Sequence, residues 1–417
     1  MTAGLRPRAI GGPYRRSARR LGAFSKGLEQ WSRFCAKKRC RKAGSLRARA
    51  ISSSEIRSLI AAAFKGGESS GKRVVATLPP ALKLDITGIG VFFGPISVRD
   101  NGQNMTVAFV FPGQGSQFVG MGKTLAVDFP AARQVFEEVD GALGCKLSNI
   151  IFEGPAEALT LTKNAQPALM AVSLAVLRVL EGEAGVVLAR DAQFVAGHSL
   201  GEYSALAAAG AFSISDAARL LRTRGQAMQR AVPVGVGAMA ALIGLEFDAA
   251  SAIAKEAAHG EVCQAANDNG AGQVVVSGNR AAVERAVEIA KSKGAKRAML
   301  LPVSAPFHCE LMQPAADVMA EALAKVSVKP PTVPLVANVL AKAIDDPAEI
   351  VRSLIAQVTG TVRWRESVLY MAGAGVTNFF EVGAGKVLSG LIKRLAEGAV
   401  VTAIGTPADV TDFKGRN

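Results

Sequence analysis

The sequence predicts an α/β protein that combines a mainly parallel sheet with a smaller, inserted subdomain. From Met105 onward, short runs rich in β-branched and aromatic residues alternate with alanine- and leucine-rich stretches of helical length. This alternation is typical of βα units, whose strands pair in parallel. Between residues 235 and 301 the strands become closely spaced around two short helices, which indicates a second, smaller unit.

The large unit is predicted from apolar runs of two lengths. Its first elements are strands at residues 107–111 and 194–196 and helices at residues 161–180 and 203–209. The apolar run 168–177 ends at Arg178, and no stretch of about 18 uncharged apolar residues occurs. We therefore expect a buried helix there and no transmembrane segment.

The small unit is predicted as a ferredoxin-like subdomain. Its strands are expected at residues 237–244, 273–277 and 297–302, and its helices at residues 249–257 and 280–293. A β-α-β-α-β order of this length suits a ferredoxin-like fold. We expect a large subdomain formed by residues 105–233 and 305–417, and a small one formed by residues 234–304.

The formal charge of +15 belongs to the first quarter of the chain. Residues 1–104 hold 21 Lys and Arg against 5 Asp and Glu, whereas the other residues hold 28 basic and 29 acidic side chains. Hydrophobic residues make up 49% of the whole chain, which is enough for a sizeable core and excludes wholesale disorder.

Residues 1–104 permit three interpretations. Their arginine- and serine-rich, acid-poor composition fits an organelle transit peptide. Their basic runs fit a nucleic-acid arm or a partner-binding tail. Met105 directly precedes a predicted strand, which fits a misplaced translation start. All three predict a basic extension with little order.

The five cysteines follow no paired spacing, so we expect no disulfide framework and a reducing compartment. Cys35 and Cys40, in a chain with only three histidines, do not form a zinc site, and we expect no metal.

The strongest local motif is G-x-S-x-G at residues 197–201, which read Gly-His-Ser-Leu-Gly. It follows one predicted strand and precedes a helix, as in the nucleophile elbow of α/β-hydrolase-like proteins. Such a turn exposes the hydroxyl of Ser199, and the helix behind it offers backbone N–H groups to a developing oxyanion. The alternative is a glycine-rich turn with an N-capping serine.

A serine nucleophile needs a base, and three histidines are available. The elbow directs His198 away from the neighbouring serine, and His259 lies in a polar, solvated loop. His308 lies in a proline-bounded loop, which is a suitable place to display a site residue. Elimination therefore leaves His308 as the base, with a core histidine as the alternative.

A second glycine cluster, at residues 112–117, follows the first strand and reads Pro-Gly-Gln-Gly-Ser-Gln. Its spacing excludes a phosphate loop, because Gln117 stands where the first glycine is required. It also excludes the dinucleotide fingerprint, because Phe118 stands where the third glycine is required. A loop after a neighbouring parallel strand lies beside the elbow, where its backbone and Gln114 can donate to an oxyanion.

Four motifs then occur in a fixed order, and together they carry a family resemblance. They are residues 113–117 (Gly-Gln-Gly-Ser-Gln), 197–204 (Gly-His-Ser-Leu-Gly-Glu-Tyr-Ser), 224–225 (Arg-Gly) and 306–309 (Pro-Phe-His-Cys). The chain closely resembles the malonyl-coenzyme A:acyl carrier protein transacylases of bacterial fatty acid synthesis. The resemblance runs from Met105 to about residue 406, and the basic extension has no counterpart in it.

The resemblance implies a catalytic role for several residues. Ser199 looks like the nucleophile and His308 like its general base. Gln114 and the backbone N–H of Leu200 look like the oxyanion hole. Arg224 looks like the partner of the free carboxylate of malonate, since a guanidinium binds a carboxylate through two parallel hydrogen bonds.

The resemblance also implies three supporting residues. The family orients its histidine with a backbone carbonyl, and Gln357 matches that position. Gln166 and Asn269 lie in segments similar to the wall of the family's pocket.

The implied reaction is ping-pong acyl transfer through a malonyl-serine ester, with malonyl-CoA as donor and acyl carrier protein as acceptor. No metal or other cofactor is expected, because the CoA thioester is a substrate. We expect a cytoplasmic monomer that binds neither nucleic acid nor membrane, or an organelle protein if residues 1–104 are a transit peptide.

Three other functions compete with this one. A serine esterase or thioesterase could use the same elbow, with Asp216, Asp248 or Asp268 as the acid that such hydrolases place between serine and histidine. A polyketide-type acyltransferase is the nearest relative, although it usually lies inside a larger multidomain chain. A nucleic-acid-binding protein could use the basic extension.

Overall fold

The computed structural model describes residues 106–303 and 305–415. The basic extension at residues 1–104 lies outside the described residues, as do Met105, Cys35 and Cys40. In the described part, ten strands form two separate sheets, one of six strands and one of four.

The large sheet is built from strands on both sides of the insertion. Its strands are β1 (Val107–Phe111), β2 (Phe194–Gly197), β7 (Leu335–Ala337), β8 (Lys342–Ile344), β9 (Asn378–Val382) and β10 (Val400–Ile404). They lie in the order β10-β9-β1-β2-β7-β8, and every pair is parallel except the edge pair β7–β8. The prediction of a mainly parallel sheet is confirmed.

The burial of strand β1 on both faces explains why its sequence is apolar without alternation. Phe109 packs into the core on one face of the sheet, whereas Ala108 and Val110 pack into the core on the other. A central parallel strand that is buried on both faces needs no polar positions. In the parallel register, Phe111 lies opposite Gly197, so the loops that follow β1 and β2 begin side by side.

Helices cover both faces of this sheet and connect its strands. They are α1 (Lys123–Asp128), α2 (Pro130–Leu143), α3 (Leu147–Glu153), α4 (Ala156–Thr160), α5 (Thr162–Ala184), α6 (Leu188–Asp191), α7 (Gly201–Ala208), α8 (Ile214–Ala231), α11 (Gln313–Leu323), α12 (Pro347–Thr359), α13 (Trp364–Gly373), α14 (Val387–Leu395) and α15 (Pro407–Lys414). The remaining two, α9 (Phe247–Ala258) and α10 (Arg280–Ser292), belong to the small sheet.

Helix α5 is the central helix of the large core. Within the described residues it alone is long and apolar enough to cross a membrane by length and composition, and 83% of its most apolar window is buried inside the protein. The sequence predicted this helix over residues 161–180, and it ends one turn later, where Gly185 adopts a left-handed conformation.

The small sheet contains one strand more than the sequence predicted. Its strands are β3 (Gly237–Ile243), β4 (Cys263–Gly270), β5 (Gln273–Asn279) and β6 (Arg297–Leu300), in the antiparallel order β4-β5-β3-β6. Together with α9 and α10 they give the order β-α-β-β-α-β, which is that of the ferredoxin-like motif. The predicted β-α-β-α-β order was therefore wrong by one strand.

The missing strand is β4, and its sequence explains the error. Gln264, Asn267, Asp268 and Asn269 interrupt any apolar alternation, and two register shifts against β5 break its regular pairing. The strand is held from outside its own sheet as well, because the backbone N–H of Asp268 donates to the carbonyl of Val362 at 2.9 Å. The division into subdomains at residues 234 and 304 stays a prediction.

Candidate active site

The turn between β2 and α7 forms a sharp elbow at Ser199. Ser199 has a φ of 54°, in the left-handed region that non-glycine residues rarely occupy. A Cβ on Gly197 would lie 1.9 Å from the carbonyl carbon of Gly201, and a Cβ on Gly201 would lie 2.3 Å from the carbonyl oxygen of Phe111. The two glycines are therefore required by the close approach of helix, strand and loop.

The hydroxyl of Ser199 lies against His308, which the sequence singled out as its base. Ser199 Oγ is 2.8 Å from His308 Nε2. His308 is buried and also has a positive φ, of 61°, in the loop before the 3₁₀ turn Glu310–Met312. The structure thus brings together two residues that are 109 positions apart in the chain.

The second ring nitrogen of His308 meets a backbone carbonyl. His308 Nδ1 is 2.8 Å from the carbonyl oxygen of Gln357, in helix α12. A carbonyl only accepts hydrogen bonds, so Nδ1 carries the proton and Nε2 is left to accept from Ser199. Burial, and next the charge of Arg224, lower the pKa of His308 to about 3, which keeps the imidazole neutral.

The cation predicted for substrate binding lies beside the serine. Arg224, in helix α8, is only 1% exposed, and its Nη2 donates to Ser199 Oγ at 3.1 Å. Nη1 donates to Gln166 Oε1 and Nη2 also to Gln357 Oε1, both at 2.8 Å. The guanidinium lies 5.8 Å from the centre of the Tyr203 ring. Burial lowers the pKa of Arg224, while the neighbouring Tyr203 and Glu202 act in the opposite direction.

The predicted oxyanion-hole residues lie on the two loops that start side by side. Leu200 is the first residue before helix α7, where backbone N–H groups lack partners within the helix. Gln114 is half-buried in the loop after β1, with its Nε2 3.4 Å from Thr162 Oγ1. Gly113 brings this loop against the elbow, because a Cβ there would lie 2.7 Å from the carbonyl oxygen of His198.

His198 also faces the site, which sequence reasoning did not foresee. Its Nε2 lies 2.9 Å from Asn269 Oδ1, and the centre of its ring lies 5.7 Å from the centre of the Trp364 ring. Burial lowers the pKa of His198. The pair of His198 and Asn269 joins the elbow to the small sheet, and it places the predicted Asn269 on the wall of the site.

Two buried residues were missed entirely. Glu202, in the first turn of α7, accepts hydrogen bonds from the backbone N–H of Asn338 and from Gln357 Nε2. Asn338 Oδ1 accepts from the backbone N–H of Ser199 at 2.8 Å, and its Nδ2 donates to the carbonyl of Gly197 at 2.8 Å. Asn338 thereby fixes both sides of the elbow. Glu202 lies inside the second of the four motifs, residues 197–204, which gave no sign of its burial.

These residues surround a cavity of about 420 Å³ between the two sheets. Its walls include residues from the loop after β1, the elbow, helix α8 and the small sheet: Gln114, Ser199, Arg224, Asn269, Val275 and His308. Among residues 106–303 and 305–415, no group of three or more His, Cys, Asp and Glu side chains is placed to hold a metal ion. The arrangement combines a serine hydroxyl, a neutral imidazole and a fixed cation in one cavity.

Comparison with known proteins agrees with this chemistry. Residues 108–413 match the acyl transferase domain family. The malonyl CoA-acyl carrier protein transacylase of Bacillus subtilis (strain 168) is 48% identical over 305 residues, which cover 73% of this chain and 95% of that protein.

Two solved structures have the same fold. The acyl-carrier-protein S-malonyltransferase of Bartonella henselae is 58% identical with a TM-score of 0.73, covering 74% of this chain and 98% of that chain. A malonyl-transacylase in complex with its type II polyketide synthase acyl-carrier protein is 42% identical with a TM-score of 0.72, covering 75% and 100%.

The fold and the comparisons define an acyltransferase. The chain belongs to the malonyl CoA-acyl carrier protein transacylase family, as its motifs predicted.

Proposed function

We propose that the protein transfers the malonyl group of malonyl-CoA to the phosphopantetheine thiol of acyl carrier protein, in fatty acid biosynthesis, through a malonyl ester on Ser199. The observation that carries the proposal is the position of Arg224. Its Nη2 lies 3.1 Å from Ser199 Oγ, so a fixed positive charge stands where the acyl group of an acyl-serine must lie.

The first half-reaction begins with His308. Neutral Nε2, 2.8 Å from Ser199 Oγ, takes the hydroxyl proton as the oxygen attacks the thioester carbonyl. The carbonyl of Gln357 holds the ring in the productive tautomer. The same imidazolium returns its proton to the departing thiolate of coenzyme A.

The tetrahedral oxyanion forms at the gap between the two glycine loops. The backbone N–H of Leu200, at the N-terminus of α7, and the half-buried Gln114 are the donors in this proposal. Donors of this kind, fixed before the reaction, stabilise charge that appears only in the transition state.

In this proposal, the malonyl carboxylate replaces Ser199 Oγ as the acceptor of the hydrogen bond from Arg224 Nη2. Acylation turns the serine oxygen into an ester oxygen and so weakens it as an acceptor, which frees Nη2 for the carboxylate. Gln166 and Gln357 hold the rest of the guanidinium in place during this exchange. A planar guanidinium can then bind the carboxylate through two parallel hydrogen bonds.

The second half-reaction reverses the first, with the phosphopantetheine thiol as nucleophile. His308 deprotonates that thiol, and Ser199 leaves with the proton. No cofactor is required, since both thioesters are substrates. We further propose that the enzyme acts as a cytoplasmic monomer whose partners are malonyl-CoA and acyl carrier protein, without nucleic acid or membrane.

The geometry around His308 weighs against the esterase or thioesterase alternative. The group at Nδ1 is the Gln357 carbonyl rather than a carboxylate. Two of the three candidate acids are engaged elsewhere, Asp268 with Arg365 and Asp216 with Arg219. A polyketide-type acyltransferase would share the site, so the identity of the acceptor carrier protein separates that alternative.

Intact-mass measurement after incubation with malonyl-CoA tests the proposal. We expect one added malonyl group, located on Ser199 by peptide mapping, lost on addition of pantetheinylated carrier protein and retained in buffer alone. Ser199→Ala should give no adduct. Ser204→Ala is the matched control, because Ser204 is a buried serine of α7 whose hydroxyl has no hydrogen-bond partner among the described residues. Loss of the adduct to water at the same rate as to carrier protein would favour the thioesterase.

A further inference from the structure

Glu202 is an acidic side chain with an unusual position. It lies in the first turn of α7, three residues after Ser199, where acidic residues are usually solvated, yet it is completely buried. One carboxyl oxygen accepts from the backbone N–H of Asn338 and the other from Gln357 Nε2. The carboxylate therefore faces hydrogen-bond donors on both sides and contacts neither Ser199 nor His308 directly.

The side-chain amide of Gln357 is held in one orientation by its neighbours. Its Nε2 faces two acceptors, Glu202 Oε2 and the backbone oxygen of Ser199, the latter at 2.9 Å. Its Oε1 faces Arg224 Nη2 at 2.8 Å. A guanidinium only donates, and a carboxylate only accepts, so reversal of this amide would oppose donor to donor at one end and acceptor to acceptor at the other.

Building on the proposed function, we propose that Glu202 is a positioning residue that orients the Gln357 amide and so holds Arg224 ready for the malonyl carboxylate. Glu202 does not contact the substrate itself. It contacts Gln357, Gln357 contacts Arg224, and Arg224 binds the malonyl carboxylate. Because the backbone carbonyl of Gln357, and not its side chain, accepts from His308, the base keeps its partner when the amide is disturbed. The role of Glu202 is therefore specific to acyl groups that carry a charge.

The isosteric variant Glu202→Gln separates this role from a general structural one. An amide at this position presents an NH₂ group either to the Asn338 N–H or to Gln357 Nε2, and in both cases the charge that holds the Gln357 amide is removed. Where the NH₂ group faces Gln357, that amide turns over or loses its partner. Burial raises the pKa of Glu202 to about 8, against the hydrogen bonds from Asn338 and Gln357 and the charge of Arg224. Assays above that pKa compare the neutral isostere with the ionised wild type.

We expect kcat/KM for malonyl-CoA to fall about 10- to 100-fold in Glu202→Gln, which corresponds to one charge-assisted hydrogen bond. Transfer from acetyl-CoA should change by less than about threefold, because an acetyl group has no carboxylate to pair with Arg224. Glu381→Gln is the matched control. Glu381 is an equally buried carboxylate that accepts two backbone N–H groups, from Leu388 and Ser389, so its variant should lose stability without a change in the malonyl-to-acetyl ratio.

A double-mutant cycle with Gln357→Met tests whether Glu202 acts through Gln357. Methionine removes the amide and keeps the backbone carbonyl, so it should reproduce the malonyl-specific loss, and the two changes together should cost little more than either alone. Equal falls for both donors, or full additivity, would overturn the proposal. Should Glu202→Gln lack a cooperative thermal transition, Gln357→Met decides, and an unchanged donor ratio in it is the overturning result. Failure of the wild type to form a malonyl-serine adduct would instead refute the proposed function.

Discussion

His308 Nδ1 donates to the backbone carbonyl of Gln357, 2.8 Å away, and not to a carboxylate. The carbonyl fixes the ring and its tautomer, but it carries no full negative charge to stabilise an imidazolium. Burial and the nearby Arg224 therefore act unopposed by an acid, and the pKa of His308 falls to about 3. The imidazole of His308 is therefore neutral over the whole physiological range.

His308 should therefore not become protonated near pH 6.5, the pKa of an ordinary histidine, and the acylation rate should not fall there. We expect the single-turnover rate of acetyl-enzyme formation from acetyl-CoA, which does not depend on Glu202, to vary less than about twofold between roughly pH 5.5 and 8. Rapid-quench mass spectrometry across this range measures it. A rate that halves near a pKa of 6.5, the ordinary value, would mean that His308 is more accessible to water than its burial indicates.

The same shift has a consequence for stability. The unfolded chain binds a proton at His308 below about pH 6.5, whereas the folded protein does not until about pH 3. The contribution of His308 to the free energy of unfolding is thus complete above pH 6.5 and is lost as pH falls from 6.5 toward 3. We expect the free energy of unfolding, measured with denaturant, to fall less between neutral pH and the acid end of this window in His308→Gln than in wild type. An equal loss would contradict the assignment.

His308 should serve both half-reactions. His308→Ala should slow the formation of the malonyl-enzyme and its discharge to carrier protein by similar factors, about 100-fold or more each, because one base acts in both directions. Separate single-turnover measurements of the two steps check this. If only one step slowed, a second base would have to act in the other.

The glycines of the elbow should be intolerant of even one methyl group. In Gly197→Ala the Cβ would meet the main chain of Gly201 at 1.9 Å, a contact that no side-chain rotation relieves. We expect a destabilisation at the upper end of about 1–3 kcal/mol and loss of activity. Gly182→Ala is the matched control, since Gly182 lies within α5 and a Cβ there meets nothing within 4 Å.

The control should melt at the same temperature as wild type or higher, because alanine favours a helix over glycine by about 1 kcal/mol. Differential scanning calorimetry of both variants makes the comparison. A Gly197→Ala protein as stable and active as Gly182→Ala would show that the elbow can open without cost.

The pairing of Ser199 with His308 could be predicted from sequence for a simple reason. Ser199 is marked by flanking glycines that local geometry requires, and a chain with three histidines leaves His308 by elimination. The mainly parallel sheet could be predicted because buried parallel strands are continuous apolar runs. These features can be identified from residues that are neighbours in the chain or from composition.

The supporting network could not be predicted, because tertiary packing alone creates it. Asn338 stands in no motif, and nothing next to Glu202 in the chain indicates that its carboxylate is buried against Gln357. Strand β4 was missed for a related reason. Its polar residues do not alternate with apolar ones as in a typical half-buried strand. One of them, Asn269, instead contacts His198 in the site.

Arg224→Ala should separate charged from uncharged acyl donors. The variant leaves the malonyl carboxylate in a buried cavity without its bidentate partner, a loss of about 2–5 kcal/mol, or roughly 30- to several-thousand-fold in kcat/KM for malonyl-CoA. Transfer from acetyl-CoA should fall little or even rise. Arg224→Lys should rescue only in part, since an ammonium group cannot reproduce the planar fork.

The matched control for this prediction is Arg219→Ala, on the same helix α8. Arg219 is 54% exposed and pairs with Asp216 at the surface, so its removal should leave both donors unaffected and cost less than about 1 kcal/mol of stability. Steady-state kinetics with malonyl and acetyl donors in wild type and the three variants gives the decisive ratio. An equal fall for both donors in Arg224→Ala would mean that the guanidinium, through Gln166 and Gln357, supports the structure of the site and does not select the acyl group.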